Sequence, residues 1–135
     1  MGWDWFSLQL DAGTELMLFQ IRRKDGSLES VSSGTLIEAD GMPSPLTATE
    51  FTIEVSSTWR SPETGAAYPS AWVVRLPRLA LELNVCPFLE DQELRVSFPY
   101  WEGAVTLDGA RQGRPLQGRG FVELTGYARS MQGVF

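Results

Sequence analysis

At 135 residues the chain supports one domain, and its net charge of −6 (11 Lys and Arg against 17 Asp and Glu) argues against a nucleic-acid or anionic-membrane surface. It holds no histidine and one cysteine, Cys86, which excludes a Ser-His-Asp triad, a His-ligated metal and an intrachain disulfide within the chain. Acid–base chemistry falls to Asp, Glu, Tyr or Lys.

The predicted elements are short alternating runs divided by turn residues, the pattern of an antiparallel sheet. Asp4–Leu10 comes first. It sets Asp4, Phe6, Leu8 and Leu10 on one face and Trp3, Trp5, Ser7 and Gln9 on the other. The apolar row belongs inside, so a carboxylate, Asp4, ends a buried row between two tryptophans. A turn at Asp11-Ala12-Gly13-Thr14 leads to Glu15–Arg22. Lys24-Asp25-Gly26-Ser27 then turns the chain again, with Arg22, Arg23 and Lys24 read as a solvated hairpin end.

Ser30–Glu38 follows, then a turn at Asp40-Gly41 and a loop containing Pro43 and Pro45. Phe51, Ile53, Val55, Ser57 and Trp59 alternate with polar neighbours, which predicts one strand with a single buried face. The stretch RSPETGAAYPS reads as a surface loop long enough to act as a lid. Ala71–Leu76, Leu79–Val85, Gln92–Phe98, Gly103–Asp108 and Gly118–Tyr127 complete the set, and GRPLQGRG reads as a hairpin. Two rows are explicit: Leu79, Leu81, Leu83, Val85, and Leu94, Val96, Phe98, Tyr100.

No segment shows helical spacing over about ten residues. About nine strands at hairpin spacing predict an all-β, antiparallel up-and-down barrel, because closure removes the bare edges of an open sheet. A two-sheet sandwich is the alternative. Such a barrel has room for one small ligand. No run approaches the ~18 apolar residues of a membrane helix. No signal peptide precedes the first strand, and a Met set directly against it predicts a domain excised from a larger parent.

Five stretches in order, GWDWFSLQLDAGTELMLFQIR, WRSPETGAAYPSAWVVRLP, DQEL, YWEGAV and GRGFVELTGY, together resemble one family. It is the lipocalin-like family of the carotenoid hydratases (hydroxyneurosporene synthases) and the AttH-like predicted secreted hydrolases. The resemblance implies two consecutive lipocalin-like barrels in a full-length member, with residues 1–135 as the second, C-terminal one. It follows that a partner lipocalin-like domain, or a homodimer, should cover an apolar patch here. A bacterial parent, periplasmic or secreted, is implied as well, whereas the chain itself specifies no compartment.

Candidate site residues are aromatics and carboxylates. Trp3, Trp5, Trp59, Trp72, Trp101 and Tyr127 are candidates for contact with a hydrophobic, isoprenoid- or lipid-like molecule, with core packing as the competing role. Asp4, Glu102 and Glu123 each sit among aromatics, where desolvation favours the protonated acid that delivers a proton to a C=C carbon, assisted by Tyr100 or Tyr127. The competing expectation is an ion pair with Arg60, Arg114 or Arg119, or a barrel end closed by Trp3 or Trp5 with Arg119 or Arg129. No residue pattern calls for a metal or a cofactor.

Three functions stay open: a barrel binding a hydrophobic small molecule, a hydratase, isomerase or cyclase, and a structural barrel packed on its partner. A carotenoid-hydratase-like lyase is implied only by the resemblance. The space left inside the barrel separates the first two from the third.

Overall fold

The alternation of the first strand is realised directly: Asp4, Phe6, Leu8 and Leu10 are buried, and Trp3, Trp5 and Ser7 only half so. The computed structural model describes residues 1–129. Its strands are β1 (Gly2–Leu10), β2 (Glu15–Arg22), β3 (Ser33–Ile37), β4 (Pro43–Thr47), β5 (Thr52–Arg60), β6 (Ala67–Leu76), β7 (Leu81–Pro87), β8 (Glu93–Arg95), β9 (Pro99–Arg111) and β10 (Arg114–Leu124). They form one sheet in the order β4-β3-β2-β1-β10-β9-β7-β6-β5, with β8 paired to β9 off that path. Every pairing is antiparallel.

The first and last strands meet, in a register running from Asp4↔Leu124 to Leu10↔Gly118. The contact is close because Gly118 and Gly120 carry no side chain. A Cβ on either would lie 2.2 Å from a β1 carbonyl oxygen, that of Gln9 or Ser7. The β9–β10 hairpin turns on two residues, Gln112 (φ 51°) and Gly113 (φ 77°), as a tight hairpin with matching twist requires.

The sheet curls into a half-barrel whose edge strands, β4 and β5, are neighbours in sequence and, among the described residues, unpaired with each other. The all-β antiparallel barrel class is therefore as expected, with the break placed between β4 and β5. Inside, Trp72, Trp101, Tyr68 and Phe6 are fully buried among leucines from every long strand except β5. Phe6 meets Trp72 edge-on at 5.4 Å between centroids, and Trp72 meets Trp101 at 6.4 Å.

Several boundaries differ from the sequence expectation. Pro43 and Pro45, read as loop, lie in edge strand β4, where a missing N–H is harmless. Ala67–Ser70 belong to β6, so the expected lid shrinks to a turn over residues 61–66. Leu79 falls in a single 3-10 turn, Pro77–Leu79, ahead of β7. Only Glu93–Arg95 of the expected strand 92–98 forms, and in its apolar row Leu94 and Val96 are exposed, Val96 at 68%, while Phe98 and Tyr100 are half-buried. The expected buried face of β5 is incomplete too: Phe51 is buried, yet Val55 is 48% exposed and Ser57 is exposed. Alternation shows which residues share a face, and these faces have no neighbouring element over them.

Candidate functional site

Asp4 enters the barrel end on β1, opposite Gln20 of β2, and Arg22 stands two residues beyond on the same inward row. The chain leaving β10 turns at Gly126 (φ 81°) and returns Tyr127 to this end. The Tyr127 hydroxyl donates to both Asp4 oxygens at 2.9 and 3.1 Å, and Arg22 Nε donates at 3.3 Å. The guanidinium lies 3.9 Å over the Tyr127 ring and donates to the Thr125 carbonyl. Burial pushes the Asp4 carboxyl above the usual aspartate range, against the opposing pull of Arg22 and Tyr127. Burial likewise raises the Tyr127 phenol, with the Asp4 charge adding to it.

A second carboxylate sits close by. Glu93 of β8 is wholly enclosed and accepts from Ser61 Oγ, Thr64 Oγ1 and Tyr68 OH, each at 2.7 Å, and from Arg95 Nη1 at 2.9 Å. Burial pushes its pKa up, but the donors Ser61, Thr64, Tyr68 and Arg95 outweigh it and hold the group below the ordinary glutamate value. Tyr68 connects the two acids: its ring lies 5.7 Å from that of Tyr127 and stacks with Trp59 at 6.2 Å. One barrel end thus holds an acid biased toward its neutral form and another biased toward its anion, a division suited to acid and base roles. Every buried side-chain N and O among the described residues has a partner.

The other candidates separate into two groups. Trp72 and Trp101 are core, and the Trp101 indole donates to the Glu90 carbonyl at 2.7 Å. Trp3, Trp5, Glu123, Glu102 and Tyr100 lie half-buried on the outer face. There Trp3 Nε1 donates to Glu123 at 2.6 Å, Glu123 stands opposite both Trp5 and Glu102, and the Tyr100 hydroxyl donates to Glu102 at 3.1 Å. Of the acids named from sequence, Asp4 alone joins the buried end. Its arginine is Arg22, not Arg60, Arg114 or Arg119, and the ring under the guanidinium is a tyrosine's, not that of Trp3 or Trp5.

Arg22, expected with Arg23 and Lys24 at a solvated hairpin end, instead turns inward at the end of the row Leu16, Leu18, Gln20, Arg22, because Asp4 and the Tyr127 ring hold its guanidinium there. Glu93, Ser61, Thr64 and Tyr68 carry no local signal, since they meet only through the fold. At the opposite end, Leu10, Thr14, Arg111, Arg114 and Leu116 line an open cleft of about 360 Å³. Among the described residues no cluster of three or more His, Cys, Asp or Glu could hold a metal ion, and no helix is long and apolar enough to cross a membrane.

A curled antiparallel sheet with first and last strands paired and an aromatic core defines a lipocalin-like barrel. A family model described as AttH-like matches residues 1–127, and the chain belongs to that family. A crystal structure of a Nitrosomonas europaea protein, provisionally assigned as AttH, is 42% identical with a TM-score of 0.83. The match covers 95% of this chain and 39% of that one. Kievitone hydratase from Nectria haematococca shares the fold at a TM-score of 0.73 and 23% identity, over 91% of this chain and 38% of the hydratase. Among curated proteins there is no match. The chain therefore spans about two-fifths of the length of each solved relative.

Proposed function

We propose that this chain is a structural lipocalin-like barrel of a longer AttH-like protein, folding around its own core and presenting the outer face of β2, β1 and β10 to a partner lipocalin-like domain. The observation that carries this is an inversion of the usual lipocalin arrangement. Trp72, Trp101, Tyr68 and Phe6 are buried in the interior, while Trp3, Trp5, Phe19, Ile21, Met17 and Phe121 lie on the outside, half-buried or exposed. Register makes them one surface: Trp3 faces Ile21, Trp5 faces Phe19, and Ser7 faces both Met17 and Phe121. An aromatic patch of this kind on an outer sheet face marks an interaction surface.

The test is co-expression with the segment of the Nitrosomonas europaea relative that lies outside the matched region. Co-purification that Trp5→Glu and Phe121→Glu abolish is expected. Unchanged recovery with both variants would remove the reading.

On this reading the lumen holds Trp72 and Trp101 in place of a hydrophobic, isoprenoid- or lipid-like molecule. Titration with retinoids and fatty acids, followed by Trp fluorescence, is expected to be flat. Saturable quenching would reinstate the ligand.

One observation favours a second reading, protonation of a C=C bond by a hydratase, isomerase or cyclase. Asp4 is an acid whose burial favours the proton, and Tyr127 touches it. Glu102 and Glu123, facing outward, would act only on a substrate lying between this barrel and its partner. Turnover of a polyene or terpenoid by the longer protein that Asp4→Asn abolishes is the expected result of this reading, and turnover unchanged by Asp4→Asn would end it.

A further inference from the structure

We propose that β5 is a pairing edge for a second copy of this chain, with the two β5 strands antiparallel about a two-fold axis at Ser57. Among the described residues the sheet has two free edges, and they are unlike. β4 is five residues long and carries Pro43 and Pro45, which cannot donate to a neighbour. β5 is nine residues long, carries no proline or lysine and, among the described residues, is paired on one side only, by β6. An edge of that length that lacks proline and lysine, and whose two charges are of opposite sign, is a template for another strand.

The sequence of this edge complements itself in one register. An axis at Ser57 sets Glu54 opposite Arg60 of the second copy, Val55 opposite Trp59, and Ser56 opposite Thr58, each pair occurring twice by symmetry. Within the chain, Val55 already stands opposite buried Trp72, and Trp59 opposite buried Tyr68. The new Val55–Trp59 pairs would therefore extend the inward apolar row and cover a valine that is 48% exposed. Existing contacts leave the charges able to serve: Arg75 engages Oε2 of Glu54 at 2.7 Å, and Arg60 uses Nη1 toward the Gly65 carbonyl at 2.6 Å. Oε1 of Glu54 and Nη2 of Arg60 remain for the second copy. The register irregularities of β5 against β6 also flank Ser57, so the bend in each strand falls on the axis, where two copies bend together.

Two experiments test this. Strands paired about Ser57 place the two Ser57 Cα atoms roughly 4.5–5.5 Å apart, within disulfide range. In a Cys86→Ala background, which removes the exposed native thiol, Ser57→Cys is expected to form a disulfide-linked dimer under mild oxidation, and Thr52→Cys is not. Sedimentation at hundreds of micromolar should show self-association of the unmodified chain. Glu54→Arg and Arg60→Glu should each weaken it about fivefold or more, and the double charge swap should recover it.

Recovery in the double variant cannot come from misfolding. Trp5→Glu, on the outer face, should leave this association intact, which separates it from docking of a partner domain. A monomer at every concentration, equal cross-linking at positions 52 and 57, or a double variant no better than the singles would each overturn the proposal.

Discussion

Asp4 holds its proton beyond the ordinary aspartate range because burial outweighs Arg22 and Tyr127, and this has a measurable sign. A carboxyl with a raised folded pKa lends stability that is present below its unfolded value and lost as pH rises through the folded one. Asp4→Asn, which mimics the neutral acid in shape, should match the parent near pH 3 and exceed it at pH 7 in urea melts recorded across that range. A variant weaker than the parent at pH 7 would show that the ion pair with Arg22 dominates. Glu93 behaves oppositely. Its folded pKa is lowered, so its contribution is present above the ordinary glutamate value and fades as pH falls through the folded one. Glu93→Gln should cost roughly 2–3 kcal/mol at pH 7 through weakened charge-assisted hydrogen bonds, and less in acid, as read from the same melts. Sequence makes Asp4 conspicuous because it breaks an apolar row. Glu93 is silent there: its partners Ser61, Thr64 and Tyr68 lie 25 to 32 residues away along the chain.

Among elements, hairpins were the legible part. β2 occupies Glu15–Arg22 as expected, because period-two alternation and Gly-bearing turns are local signals. What alternation cannot report is whether a neighbouring strand covers the apolar face. That is why β5 and the stretch around Val96 were expected inside and are exposed. The junction of β1 with β10 rests on a different signal, glycines whose absent side chains admit the next strand. Gly120→Val places a Cβ only 2.2 Å from the Ser7 carbonyl oxygen. Since the barrier is backbone rather than a flexible side chain, the strands must part, and a loss of roughly 2–3 kcal/mol or more is expected. The urea midpoint reads it directly. Gly26→Ala is the control for local turn strain alone: Gly26 also has a positive φ (85°), but nothing lies within 4 Å of an added Cβ.

At the scale of the whole molecule, what decides function is whether the interior belongs to the protein or to a guest. The sequence supplied the aromatic side chains and the meeting of first and last strands, but it did not show that β4 and β5 stay unpaired, nor could it apportion tryptophans between core and surface. Trp3 and Trp5 went outside, and Trp72 and Trp101 went in. If Trp72 fills the space that a lipocalin offers its ligand, truncating it should create that space. Trp72→Ala should cost about 3–5 kcal/mol, the usual range for emptying a large aromatic site. It should also confer saturable binding of small apolar molecules, since a dry cavity beside Phe6, Trp101 and Val85 has no water to displace. Isothermal titration with benzene-sized probes and short fatty acids distinguishes the outcomes. Binding by the variant alone identifies the indole as the occupant of the lumen. Equal binding by the parent chain would mean that the tryptophans part for a ligand, and the barrel would then be a carrier rather than a scaffold.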